Sequence, residues 1–166
     1  MKRVLITGAQ SYIGDAFAAW VRAHYAEQIS VQIVDMRSSD WKKVRFSQFD
    51  AVFHVAGIAH ADVGKATSQQ QQLYYAVNRD LAVETARMAR MQGVRQFIFM
   101  SSMIVYGNSA PAGKTRVITK DTEPAPANFY ADSKWQAEQA LCALRDDTFA
   151  VAILRPPMIY GPGSKG

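Results

Sequence analysis

The sequence predicts a doubly wound, mostly parallel α/β sheet, and three observations carry the prediction. Short, nearly continuous apolar runs alternate with amphipathic stretches along the chain, as expected for strands buried on both faces and joined by crossover helices. The first run leads directly into a glycine-bearing turn, Thr7-Gly8-Ala9-Gln10-Ser11-Tyr12-Ile13-Gly14. The 166 residues, 49% hydrophobic and 20% charged, suit one globular domain with a buried core. Right-handed crossovers then wind the sheet in both directions from its first strand.

Lys2 to Thr7 reads as a buried strand. Tyr12 to about Glu27 carries Ile13, Phe17, Trp20 and Val21 at helical spacing. Ser30 to Met36 is a second strand. Residues 36–49 are too few for a full helix with its connections, since a parallel crossover normally takes roughly a dozen residues or more. A missing or single-turn helix is expected there, with at most a short strand near Lys43 to Phe46. Ala51 to Ala56 is the next strand, followed by a polar loop and a long helix from Gln70 to Gln92 bearing Leu73, Val77, Leu81 and Met88. Gln96 to Ser101 is a strand, Asn128 to about Arg145 a helix after the proline-rich Glu123-Pro124-Ala125-Pro126, and Ala150 to Leu154 the last strand.

Composition narrows the function. The net charge of +5 falls in small clusters, Lys42, Lys43, Arg45 and Lys114, Arg116, Lys120. Neither cluster interleaves aromatics or follows a helix face, so solubility explains the charge and no nucleic-acid partner is expected. No apolar run is long enough to span a membrane, and the chain enters a strand at once, which predicts a cytoplasmic protein without a membrane partner. Cys142 reads as a small buried hydrophobe, and no disulfide is possible. His24, His54 and His60 lack metal-site spacing, so no metal is expected.

The opening turn resembles a dinucleotide loop in which Gly8 allows the tight turn and Gly14 lets the helix pack on the strand. Serine stands at position 11, where the middle glycine is usual, and its hydroxyl is able to donate to a phosphate at the helix N-terminus. Asp35, about twenty residues on at the end of the next strand, suits the adenosine ribose hydroxyls and favours NAD over NADP, while Arg37 keeps NADP open. Downstream, Tyr130-Ala131-Asp132-Ser133-Lys134 puts a phenol and an ammonium on one helix face, about 5–6 Å apart at Cβ. An ammonium held close favours phenolate and makes tyrosine a usable base. The strand ending Phe99-Met100-Ser101-Ser102 delivers a hydroxyl to the sheet edge where ligands bind.

Taken together, the chain resembles the extended short-chain dehydrogenases/reductases, and within them the NAD-dependent nucleotide-sugar epimerases/dehydratases. The resemblance covers essentially the whole chain. It rests on the Gly8/Gly14 turn, Asp50-x-Val52-x-His54-x-Ala56-Gly57, Asn78, Ser101-Ser102-x-x-Val105-Tyr106-Gly107, Tyr130-x-x-x-Lys134, and Leu154-Arg155-Pro156 with Ile159-Tyr160-Gly161-Pro162. It implies a Rossmann-type fold with NAD held by Gly8, Ser11, Tyr12, Ile13, Gly14, Asp35, Met36, Arg37, Val55, Ala56, Gly57, Asn78, Tyr130, Lys134 and Pro157. Tyr130 is then the general base, Lys134 the ribose ligand that lowers its pKa, and Ser102 the group that holds the substrate oxygen.

The resemblance also bears on the reaction. Relatives that eliminate water carry an acidic pair after the catalytic hydroxyl, where this chain has Met103 and Ile104. Neither transfers a proton, so the expectation is 4-epimerisation of a nucleotide sugar by transient oxidation at C4. Net reduction or dehydrogenation uses the same three side chains and stays open, as does a non-catalytic dinucleotide-binding subunit. The chain departs from the family at Ser11, at the shortened segment Val44-Arg45-Phe46-Ser47, and at Met158, where many relatives have an asparagine. Residues 1–166 are expected to be the NAD-binding domain, with the family's C-terminal substrate lobe absent from this chain. In the family, dimers form through the helices at 70–92 and 128–145, with Leu73, Val77, Leu81, Met88, Trp135, Ala140 and Leu141 as the candidate face.

Overall fold

A computed structural model describes residues 1–59, 65–108 and 110–164, so His60 lies outside the described residues. Five parallel strands form one sheet in the order β2-β1-β3-β4-β5: β1 is Lys2–Thr7, β2 Ile29–Val34, β3 Ala51–His54, β4 Gln96–Met100 and β5 Ala150–Leu154. Thr7 pairs with Val34 on one side and His54 on the other, so β1 sits where the winding reverses. This is the topological switch point beyond which ligands bind in such sheets.

Helix α1 spans Tyr12–His24. It stops short of Glu27 because the chain turns at Tyr25, whose carbonyl accepts from Gln28 and Ile29, and β2 begins immediately. No full helix forms between β2 and β3, as expected, and the short strand allowed near Lys43 to Phe46 does not form either. Two 3-10 turns, Ser39–Lys43 and Phe46–Gln48, fill the place of a helix and drive Trp41, Phe46 and Phe49 into the core. Such short turns bury large side chains without the length a helix requires.

The long helix is three pieces. Helix α2, Ser68–Tyr75, starts on a reciprocal capping box between Thr67 and Gln70. A π-helical segment, Ala76–Asp80, follows and runs into α3, Leu81–Met91. Helix α4, Phe129–Cys142, is capped by Asn128, whose side chain accepts from the Ala131 N–H at 2.8 Å. Cys142, its last residue, is partly rather than fully buried.

Coverage of the sheet is uneven. The main core, including Leu5, Val52, Phe97, Phe99, Ala137, Leu141 and Phe149, lies under α3, α4 and the 3-10 turns. Among the described residues the other face is covered by α1 alone, packed through Ala18 onto Ile6 and Phe53. The expectation of strands covered on both faces therefore holds only in part: Ile98 and Met100 stay half-buried and Leu154 is exposed. Of the candidate dimer residues, Leu141 is fully buried and Leu81, Met88 and Ala140 pack on the protein's own core, whereas Leu73 is exposed.

His54 is fully buried between the rings of Phe97 and Phe99 and shares a 2.7 Å hydrogen bond through Nδ1 with the Thr7 hydroxyl. Its Nε2 has no hydrogen-bond partner among the described residues. Burial, reinforced by the nearby Lys134 charge, pushes its pKa from 6.5 down to about 3. The unfolded chain therefore takes up a proton that the folded chain refuses, and stability present above pH 6.5 is lost as pH falls toward 3. In urea titrations at successive pH values, His54→Gln should flatten the loss between pH 6.5 and about 4.5, a range above most carboxylate titration. Equal slopes for the two proteins would contradict this account.

Candidate active site

The glycine turn follows from β1. Gly8 has φ +122°, and a Cβ there would lie 2.7 Å from the Ala56 nitrogen. L residues rarely adopt that conformation, and the gap has no room for a Cβ. Position 11 makes no such demand. Ser11 is extended, with φ −85° and ψ 129°, and caps α1 by accepting from the Gly14 N–H at 2.9 Å. One of its two lone pairs is thus taken by the helix, and its O–H is left to donate. Gly14 packs the helix tightly on the sheet, since a Cβ would meet Val55 at 3.0 Å and Ile6 at 3.1 Å. The N–H groups of Tyr12 and Ile13, in the first turn of α1, have no intrahelical partner.

Ser11→Gly should therefore cost only a few tenths of a kcal/mol, because glycine is itself a tolerable N-cap, and dinucleotide affinity should be kept. Thermal melting and an NAD titration check this. A large loss of affinity would make the hydroxyl a required phosphate ligand.

At the end of β2, Asp35 is clasped by Arg37. The Arg37 Nε lies 3.0 Å from both carboxylate oxygens, Nη2 lies 2.5 Å from Oδ2, and the Arg37 backbone N–H donates at 2.9 Å. These hydrogen bonds hold the carboxyl near pKa 2. Met36, between them, turns its side chain into the core and leaves its backbone for any ligand contact.

The catalytic candidates meet beyond β3 and β4. The Ser102 hydroxyl accepts from the Ile104 N–H at 3.3 Å, capping a 3-10 turn at Met103–Tyr106, and Ser102 stands near enough to the Tyr130 phenol to favour its ionised form. Burial raises the Tyr130 pKa, and Ser102 opposes that rise. Tyr74 packs edge-on against Tyr130 at 5.9 Å. Lys134 is buried, donates to the Met100 carbonyl at 2.9 Å and lies 4.8 Å over the Phe99 ring. Burial pushes its pKa down to about 8, with the Glu138 carboxylate opposing the fall.

The expected lowering of the tyrosine pKa by Lys134 is therefore not realised in this arrangement. The ammonium is turned toward β4, and the phenol feels burial most and Ser102 next.

Asn78 sits in the π segment, a feature frequent at functional sites. Its side chain accepts from the Ile58 N–H at 2.9 Å and donates to the Ile58 carbonyl at 3.0 Å and to the Ser133 hydroxyl at 3.1 Å. A Cβ on Gly57 would lie 3.0 Å from both Asn78 Oδ1 and Lys134 Nζ. Val55 and Ala56 are fixed to β1 by donating to the Thr7 carbonyl at 3.0 and 2.8 Å. Pro157 is exposed on the chain past β5.

The structure thus brings together Gly8 with Ala56, Gly57 with Asn78 and Lys134, and Ser102 with Tyr130, all at the C-terminal edge of the sheet. It also reveals a buried partner set that the sequence reading missed, Glu138 with Arg155. The available signal was an acid on the apolar face of α4, since such a residue is almost never buried unpaired.

Comparison with known proteins places the chain. A profile of the NAD dependent epimerase/dehydratase family matches residues 4–166. A UDP-glucose 4-epimerase of Vibrio cholerae is 30% identical over 179 aligned residues, covering 99% of this chain and 54% of that protein. The structure of MoeE5 in complex with UDP-glucose and NAD superposes with a TM-score of 0.80 at 26% identity, covering 98% of this chain and 56% of that one. RMD from Pseudomonas aeruginosa complexed with NADPH gives a TM-score of 0.79 at 25% identity, covering 99% and 57%. The chain spans about half the length of these relatives. Among the described residues no helix is long and apolar enough to cross a membrane.

Proposed function

Because the chain belongs to the NAD dependent epimerase/dehydratase family, we propose that the whole protein is a nucleotide-sugar 4-epimerase of the UDP-hexose class. Residues 1–166 form its NAD-binding part, and a substrate lobe outside this chain completes it. The observation that carries the reading is the convergence of Ser102, just past the end of β4, with Tyr130 on α4, with Lys134 one turn along the same helix and the apolar Met103 and Ile104 directly after Ser102. That set handles one proton at one oxygen and has no second acid or base for elimination.

The residues fit the dinucleotide. Gly8 leaves bare backbone where a Cβ would collide, and α1 presents the open N–H groups of Tyr12 and Ile13, which suit a diphosphate. Gly8, Ser11, Tyr12, Ile13 and Gly14 would hold the pyrophosphate, Asp35 with the Met36 backbone and Arg37 the adenosine ribose, and Val55, Ala56, Gly57, Asn78, Lys134 and Pro157 the remainder. When bound, NAD supplies the acceptor and donor of hydride at the sugar's C4.

In the proposed reaction Ser102 fixes the C4 oxygen. Tyr130 removes the hydroxyl proton and later returns it to the same oxygen, once the keto sugar has presented its other face. Ser102 helps by stabilising the phenolate. Lys134 stands one turn from Tyr130 on the same face of α4, and a swing of its flexible stem from Met100 toward the phenol would supply the charge effect that spacing predicts.

The UDP-glucose 4-epimerase relative and the UDP-glucose complex of MoeE5 support a UDP-hexose substrate. A second reading, net reduction by NADPH, draws support from the Arg37 clasp. The guanidinium offsets the Asp35 charge that would otherwise repel a 2′-phosphate. Homodimerisation through 70–92 and 128–145 is a further part of the proposal, with Leu73 the exposed apolar residue for it.

The test is incubation of the complete protein with a panel of UDP-sugars, first with catalytic NAD and then with stoichiometric NADPH. Epimerised product with catalytic NAD is expected. A 4-reduced product formed only with NADPH would transfer the case to the second reading.

A further inference from the structure

Tyr130, Lys134 and Glu138 recur every four residues along α4 and so share one face. Glu138 is 2% exposed, yet it is fully partnered. The Ser101 hydroxyl donates to it. Arg155 approaches it side-on, with Nε 3.1 Å from each oxygen and Nη2 2.5 Å from Oε2. Arg155 also donates through Nη1 to the Tyr106 hydroxyl at 2.5 Å, and its guanidinium lies over the rings of Tyr106 at 4.9 Å and Trp135 at 5.7 Å.

One ion pair therefore ties together α4, the end of β4, the 3-10 turn at Met103–Tyr106 and the chain leaving β5. The backbone follows the same seam, with Ser101 N–H donating to Leu154 at 2.8 Å and Met103 N–H to Pro156 at 2.9 Å. Ser102 lies inside this frame, between Ser101 and the Met103–Tyr106 turn, and Tyr130 stands on the helix that closes it.

We propose that Glu138 and Arg155 are positioning residues: the pair sets the Ser102 turn against the Tyr130 face, and the Glu138 carboxylate, one helical turn from Lys134 on the same face, is its countercharge. This deepens the reading of Tyr130, Lys134 and Ser102 given above and rests on it. A buried ion pair is weak evidence of a stability role, because apolar residues of similar volume often pack as well. Charge is what an apolar pair cannot supply.

The groups around Lys134 make the electrostatic role specific. From β3 it faces His54, held neutral by burial. From β4 it meets a neutral group, the Met100 carbonyl, and the neutral Asn78 amide lies on the other side of the Gly57 position. On its own helix stand the neutral Tyr130 phenol and Glu138, the carboxylate that supports its charge. Arg155 lies on the Glu138 carboxylate, and Tyr106 beyond Arg155.

The test uses the complete protein with three variants: Glu138→Gln, Glu138→Asp, and the double variant Glu138→Gln/Arg155→Met. Lys134 is titrated by carbon NMR of labelled lysine side chains, its signal assigned by loss in Lys134→Met. Turnover against pH and thermal melting accompany the titration. Glu138→Gln should melt lower, move the Lys134 titration to lower pH and cut turnover near neutral pH on the order of 10- to 100-fold, with partial rescue in Glu138→Asp.

The double variant also removes the half-buried arginine that Glu138→Gln leaves without its carboxylate. It should regain melting temperature while its Lys134 titration stays below that of the native protein. A native Lys134 titration in the double variant would overturn the proposal and leave only packing. A shifted titration in a protein whose turnover never depended on Tyr130 would instead keep the electrostatic pairing and overturn the hydride-transfer reading.

Discussion

Tyr130→Phe in the complete protein should lower turnover by about 10²–10⁴-fold, the range for loss of a positioned general base, while NAD binding persists. The reasoning is local. Phenylalanine keeps the ring packed against Tyr74 and removes only the hydroxyl beside Ser102. Nothing at Gly8, Ser11 or Asp35 changes, so the dinucleotide cradle stays intact. Ser102→Ala should slow the reaction less, since it removes the hydroxyl that stabilises phenolate and leaves the base in place. Because burial holds the tyrosine pKa up, the native rate should rise with pH as phenolate forms, and the Ser102→Ala profile should lie at higher pH still. Near-native turnover of Tyr130→Phe would remove Tyr130 from the reaction.

Gly8→Ala should be the most damaging change in the cofactor cradle. The added Cβ would sit 2.7 Å from the Ala56 nitrogen and 2.9 Å from its Cα, both backbone atoms, at a φ of +122° that L residues rarely adopt. Neither neighbour is free to move, because Ala56 is hydrogen-bonded to Thr7 and Gly8 to the Val34 carbonyl. A loss of about 2–4 kcal/mol is expected, roughly 5–15 °C in melting temperature for a domain of this size, together with loss of NAD binding. Ser11→Gly, three residues away, should do neither. A Gly8→Ala protein that melts and binds like the native one would mean that this turn does not have the geometry described.

Comparing these two glycine-turn positions shows why part of the site was legible in the sequence. The need for glycine at position 8 comes from contact with a strand more than forty residues away, yet the strand–turn–helix pattern implied it. Serine at position 11 looked anomalous only because a glycine is usual there. Its backbone is ordinary, and a side-chain oxygen at that place is a helix cap.

The alternation of apolar runs located all five strands, including the edge strands β2 and β5, in which no residue is fully buried. Periodicity failed where a different local solution served the same burial. Trp41 and Phe46 plug the core from 3-10 turns, and a π segment inside the long helix seats Asn78. Spacing put Tyr130 and Lys134 on one face correctly but said nothing of where a flexible lysine stem ends, and here it ends on Met100. Glu138 and Arg155 were beyond reach for a related reason. Only the folded chain brings residue 138 beside 155, so the acid on the inward face of α4 signalled a buried partner without naming it.

The central claim, transient oxidation at C4 with return of the same hydrogen, is tested most directly with UDP-glucose carrying deuterium at C4. The complete protein is supplied with catalytic NAD in ordinary water, and the product is read by NMR. The account predicts a C4 epimer that retains the deuterium at C4, because Tyr130 exchanges a proton only with the oxygen. Solvent hydrogen at C4 of the epimer, or deuterium accumulating in reduced cofactor without an epimer, would contradict it.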